Sequence, residues 1–379
     1  MIKWQKILLI VLILAGCKKA FDPKGALADN SKYLVIDGTI NSGSDSTFIR
    51  LSRTKKFSIP IVIEKETGAQ VTAESDANTS YPLTEISPGT YSAASLNLDN
   101  SHKYRLRIKT ANSEEYLSDF VAIKNSPPID SVGFIAKPNG VQVYVNTHDN
   151  ANNTKYYRWE YTEAWKFHTT YESFFEVTAP RDPSRSVYYC YAKDTSSYIV
   201  LSSSAQLSKD LIYQAPITTL SPTSEKIEIR YSIEVKQYAL TSDAYIFWTA
   251  LHKNNETNGS IFDAQPSDNL TNYRCLSNPG KFVVGYLSAG STSTKRIFIN
   301  RDQLLPGYNP EYGRACSIET LYYDKGYSAL SDTNNYTALG GMYYSPFPPF
   351  SAPSAITYST RDCADCTTRG ATKAPYFWK

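Results

Sequence analysis

The chain has 379 residues, 41% apolar and 20% charged, with 20 Pro and 18 Gly scattered without a period. That composition excludes wholesale disorder and collagen-like repeats, and at roughly 150 residues per domain the length allows two or three cores. Basic residues number 39 against 36 acidic, so no global positive field exists to attract nucleic acid.

The chain opens with Lys3 and Lys6 and an unbroken apolar run from Ile7 to Ala15. Nine residues span about 14 Å as a helix, short of a bilayer core of about 30 Å. The run therefore reads as the h-region of a signal peptide over residues 1–16. It ends in Leu14-Ala15-Gly16-Cys17, which resembles the lipobox of bacterial lipoproteins, where the cysteine thiol takes a diacylglycerol and becomes the first residue after cleavage. Two or three acyl chains anchor stably where one is marginal. Residues 17–32 then form a lipidated tether, and Asp22 resembles part of a surface-export signal.

From residue 33 the dominant period is two. Tyr104, Leu106 and Ile108 alternate with Arg105, Arg107 and Lys109, and Val141, Val143 and Val145 alternate with polar residues. Tyr157, Trp159 and Tyr161 alternate with Arg158, Glu160 and Thr162, while Ile227, Ile229, Tyr231, Ile233 and Val235 share one face. Such alternation predicts antiparallel sheets with one wet face. Turn signals at Ser87-Pro88-Gly89, Pro138-Asn139-Gly140 and Asn258-Gly259 separate the strands. The expected fold is all-β, with two β-sandwich domains of immunoglobulin or fibronectin-III type. Asn125-Ser126-Pro127-Pro128 marks the boundary, because consecutive prolines force extended backbone and donate nothing to a ladder. Residues 33–125 fit the first sandwich. Residues 126–379 exceed a simple one, so insertions are expected at 168–187 and 301–355. A helix is predicted over 242–254, where Thr241-Ser242-Asp243 offers capping oxygens and Tyr245, Trp248 and Leu251 follow at helical spacing.

Five cysteines remain beside Cys17: Cys190, Cys275, Cys316, Cys363 and Cys366. An exported chain meets an oxidising compartment, and an odd number leaves one thiol over. The CxxC spacing of Cys363 and Cys366 also fits half a zinc site or a redox pair. However, no second ligand pair exists and no thioredoxin-like βαβ unit surrounds it. The expectation is two disulfides tying the carboxyl-terminal segment back to Cys190 and Cys316, with Cys275 free and no metal or cofactor.

The run Arg230 to Val235 and Gln237 to Leu240, then Tyr245 to Trp248, Gly259 to Asp263, Gly285-Tyr286, Lys295 to Phe298, and Cys363 to Thr367 with Phe377-Trp378 resembles a Bacteroidota outer-membrane lipoprotein family known only as a domain of unknown function. Its members are often encoded beside TonB-dependent receptors. The resemblance implies a surface partner of such a receptor, anchored on the outer membrane, and Cys275 is extra to the pattern.

Catalytic signatures are missing: His102, His148, His168 and His252 are isolated, and Gly285 to Gly290 has one residue too many for a nucleophile elbow. His168 reads as an exposed loop residue, and Asp149 to Asn153 as a polar turn without calcium-loop spacing. The 30 Tyr, 15 Phe and 5 Trp exceed what cores consume. Tyr343-Tyr344-Ser345-Pro346-Phe347-Pro348-Pro349-Phe350 places adjacent rings on both faces of a stiff chain, which makes Tyr343, Tyr344, Phe347 and Phe350 docking candidates. The expected function is non-enzymatic binding of a glycan or peptide, or docking on a TonB-dependent receptor. An envelope scaffold and an extracellular hydrolase are the alternatives.

Overall fold

The computed structural model describes residues 32–54, 63–176, 179–256, 270–310, 316–322, 336–342 and 355–378. The signal segment, most of the tether with Cys17, and the stretch Tyr343 to Phe350 lie outside the described residues. The fold is all-β: strands dominate, and the α-helices among the described residues are Ser242–Glu256 and the short Arg361–Ala364. No helix among the described residues is long and apolar enough to cross a membrane.

Strand Lys103–Lys109 illustrates how the first core arises. Tyr104, Leu106 and Ile108 are buried. The alternate residues Arg105 and Arg107 turn outward and hold Glu74 at 2.7 and 2.6 Å. Strand Ser80–Ser87 pairs with Gln70–Ser75 through its first half and with Thr90–Ala93 through its second. One continuous path of strands therefore wraps the core instead of two separate sheets. Ile49 and Leu51 meet Leu106 and Ile108 inside it.

Residues 273–289, expected in the second unit, return to complete this first core. Tyr273–Cys275 pairs with Glu115–Ser118, and Val283–Val284 lies parallel to Leu34–Val35. Tyr273, Cys275, Val283, Leu287 and Ala289 are buried there. The parallel approach requires a glycine: Gly285 has φ +146°, and a Cβ would lie 2.3 Å from the Ile36 carbonyl oxygen. This segment is the strand-like end of the near-miss Gly285 to Gly290, whose Gly290 amide bonds the Ile40 carbonyl.

The second core lies between a three-stranded sheet (Ile129–Lys137, Gly140–His148, Leu211–Leu220) and a five-stranded sheet. The latter is built on Tyr156–His168, Tyr189–Thr195, Val200–Ser203, Arg230–Leu240 and Ser293–Asn300. Val141, Val143 and Val145 from one sheet pack against Tyr157, Trp159, Tyr231, Ile233 and Val235 from the other. Each aromatic of this size buries 150–250 Å² on folding, so this layer dominates the unit's stability. The polar tips are satisfied: Tyr157 bonds Asp210 and Tyr231 bonds Glu163. The alternating run from Ile227 begins as a strand only at Arg230. Ser224 caps a turn of 3-10 helix, Glu225–Ile227, whose Ile227 still points into the core.

At the boundary segment the chain is pinned from below. The side-chain carbonyl of the fully buried Gln237 accepts from Trp159 Nε1 at 2.9 Å, and its amide donates to Pro127 O at 2.9 Å and to Ser126 Oγ and Thr147 Oγ1 at 3.1 Å. The expected helix forms over Ser242–Glu256, with Thr241 Oγ1 accepting the Ala244 amide at 3.2 Å.

Two disulfides close the carboxyl-terminal region, Cys190–Cys366 and Cys316–Cys363, while Cys275 is free and buried. Between Cys316 and Cys363 lies a small sheet of Glu319–Tyr322, Tyr336–Met342 and Ala355–Thr360. Reciprocal backbone bonds between Tyr191 and Ala371 lay the tail along the edge of the five-stranded sheet.

Candidate functional site

Alternation on the two central strands of the five-stranded sheet decides which residues face away from the core. With Trp159, Tyr161, Val235 and Gln237 turned inward, Arg158, Glu160, Lys236 and Tyr238 face out. Antiparallel register sets Arg158 opposite Tyr238 and Glu160 opposite Lys236. The first unit supplies a facing wall, where Asp37 and Arg50 are partners across Leu34–Thr39 and Thr47–Arg53 and approach to 3.3 Å. The helix Ser242–Glu256 contributes Trp248.

Together they line a cleft with two connected chambers. The inner one, about 120 Å³, lies between the two units and includes Thr292; the outer, about 470 Å³, is flanked by Trp248 and by Ser196, Ser197 and Tyr198. Asp37, Arg50, Arg158, Glu160 and Lys236 line both.

The electrostatics centre on Arg158, which is 7% exposed. Its guanidinium lies between the rings of Trp248 at 4.1 Å and Tyr238 at 4.4 Å, and its Nη1 donates to Glu160 at 2.7 Å. Burial pushes the Glu160 carboxyl up, but the Arg158 charge, the Tyr238 hydroxyl at 2.7 Å and Lys236 outweigh it and hold it below its ordinary value. Burial, with the Glu160 charge, drives the Tyr238 phenol upward. Glu160 thus stays an anion and Tyr238 stays protonated at neutral pH. The cleft offers fixed charges, hydroxyls and aromatic faces, which suit recognition.

A larger hollow, about 760 Å³, lies beside Tyr33, Tyr273 and Phe282. Its cations are engaged elsewhere: Arg274 holds Asp119 at 2.5 Å and Lys281 bonds Glu114. Three histidines sit beside carboxylates, His102 with Asp76 at 2.8 Å, His148 with Asp130 at 2.7 Å and His168 with Glu228 at 3.1 Å. His168 is not a loop residue. It ends strand Tyr156–His168 and stacks on Tyr188 at 4.9 Å. No cluster of three His, Cys, Asp or Glu side chains among the described residues could hold a metal ion. Asp149 forms the expected polar turn, accepting the amides of Ala151, Asn153 and Thr154 at 2.9 Å.

Of the residues singled out in sequence, Cys190, Cys316, Cys363 and Cys366 converge on one carboxyl-terminal clamp. Cys17, Tyr343, Tyr344, Phe347 and Phe350 lie outside the described residues. Sequence reasoning missed the cleft. A signal existed: Arg158/Glu160 and Glu234/Lys236 place opposite charges two residues apart on the outward faces of otherwise core-forming strands.

Comparison with protein families matches residues 19–296 to one described as a domain of unknown function (DUF4249). No curated protein matches the chain.

Proposed function

The chain belongs to the DUF4249 family of domains of unknown function, and from that premise we propose that it is a lipoprotein anchored on the outer membrane. It serves as a non-enzymatic binding or docking partner of a TonB-dependent receptor in nutrient uptake. The observation that carries this reading is Leu14-Ala15-Gly16-Cys17 directly after a nine-residue apolar run. A chain tethered by acyl groups at its start works at a membrane face, and its charged cleft supports a role in recognition. The resemblance to Bacteroidota lipoproteins encoded beside such receptors supplies the partner.

The test is affinity purification of the tagged, detergent-extracted protein with mass spectrometry, beside Cys17→Ser. The expected result is one receptor enriched with the native protein, and an unanchored or unprocessed Cys17→Ser chain. Normal processing and membrane association of Cys17→Ser would refute the anchor. Enrichment of several unrelated outer-membrane proteins would instead favour a scaffold. If the stiff aromatic segment docks, replacing Tyr343, Tyr344 and Phe347 with Ala should weaken copurification at least about tenfold without lowering the melting temperature. Retained copurification, or a collapse of stability, would reject that segment as the docking surface.

A further inference from the structure

The inner chamber of the cleft carries more positive than negative charge. Arg50, Arg158 and Lys236 line it against Asp37 and Glu160. Both carboxylates are engaged, Asp37 by Arg50 and Glu160 by Arg158 and Tyr238. Lys236 lies across the strand pair from Glu160 and packs over the Tyr238 ring at 5.4 Å, with no carboxylate in ion-pair range among the described residues. Two buried polar atoms at this chamber also meet no protein partner among the described residues, Arg158 Nε and Thr292 Oγ1. Both atoms are closed off from solvent, so what the lining offers an incoming anion is the charge of Lys236 and the outer edge of the Arg158 guanidinium.

The inner chamber's surplus is a single charge, and the one further carboxylate of the outer chamber, Glu234, is held by Arg296 at 3.2 Å. A ligand carboxylate matches that surplus, whereas a phosphate dianion would arrive with one charge uncompensated. The outer chamber narrows the choice further. Tyr198 is 65% exposed there, Trp248 forms another wall, and Thr162, Ser196 and Ser197 present hydroxyls. Aromatic faces beside hydroxyls suit a pyranose ring, with its apolar C–H face and its polar rim. They do not form the apolar pocket that a peptide side chain needs.

We propose that this cleft binds a sugar acid, with the uronate carboxylate in the inner chamber against Arg158 and Lys236 and the sugar rings along Tyr198 and Trp248. This rests on the reading of the chain as a non-enzymatic binding protein, and it names the ligand class. The carboxylate neutralises Lys236. The neighbouring Glu160 stays paired and sets a limit on anions of higher charge.

Isothermal titration of the full-length, detergent-solubilised protein with an aldobiouronic acid (one galacturonate joined to one neutral galactose), neutral galactobiose and trialanine tests the proposal. The aldobiouronic acid should bind at least about tenfold more tightly than galactobiose. Lys236→Gln should remove most of that difference, and Tyr198→Ala, at an exposed ring, should weaken both sugars by a similar factor. Melting temperatures within a few degrees of the parent establish that either variant is folded. Absence of aldobiouronic acid binding, equal affinity for the neutral sugar, equal or tighter binding of trialanine, or a Lys236→Gln variant indistinguishable from the parent would each overturn the assignment. Receptor copurification is scored separately. Its failure overturns the uptake role alone, because the ligand assignment stands or falls on the titrations.

Discussion

Gln237→Leu should destabilise the second unit by an amount that follows from its four hydrogen bonds. Leucine is close in size to glutamine, so the packing loss is small and the polar loss dominates. The Trp159 indole N–H donates at 2.9 Å to Gln237 inside a fully buried environment. Without its acceptor it costs about 1–3 kcal/mol. The amide bond to Pro127 O adds about 0.5–1.5 kcal/mol. Ser126 and Thr147 lose little, because their hydroxyls already donate to Pro127 O and Pro128 O at 3.1 Å. The total is about 2–4 kcal/mol, or roughly 5–15 °C in melting temperature for a unit of this size. Thermal unfolding followed by circular dichroism reads it. The mechanism makes a second demand. In a Trp159→Phe background the indole donor is gone, so adding Gln237→Leu should cost at least about 1 kcal/mol less than it does alone. A fall below about 2 °C for Gln237→Leu, or strictly additive costs in the double variant, would refute the assignment of this residue as the anchor of the boundary segment.

Non-reducing peptide mapping should recover Cys190 linked to Cys366 and Cys316 linked to Cys363, and any exchange of partners would contradict the structure. Removing either pair should cost about 2–5 kcal/mol in chemical denaturation, with the larger loss for Cys190–Cys366, whose partners are 176 residues apart against 47. Acid should loosen the same clamp. Burial pushes the Asp365 carboxyl up, but Thr367 and Arg361, at 2.5 and 2.9 Å, hold it below its ordinary value. A depressed folded value gives stability that is full above the unfolded value and is lost as pH falls below about 4. The stability gap between the parent and Asp365→Asn should therefore shrink in that window, and a gap constant down to pH 2 would refute the linkage.

The strand-rich fold, the helix after Thr241 and the presence of an unpaired cysteine were legible in the chain because each depends on local or compositional facts. Period-two alternation buries one face wherever a sheet forms, a threonine hydroxyl caps the turn beside it, and the odd number of cysteines forces one to stay free. Even Arg158 and Glu160 could be assigned to the wet side of their strand from alternation alone. Their neighbours could not. Asp37, Arg50, Lys236 and Trp248 come from four segments up to about two hundred residues apart, and sequence spacing carries no information about contacts made across units. The return of Tyr273 to Ala289 into the first core was hidden for the same reason. A short buried run reads alike whichever core receives it, and the choice falls to backbone geometry, here the close approach of Gly285 to Ile36. Local patterning thus set the elements and their faces. The cleft came from long-range packing, because charge and shape become a site only when distant strands are brought within a few ångströms of one another.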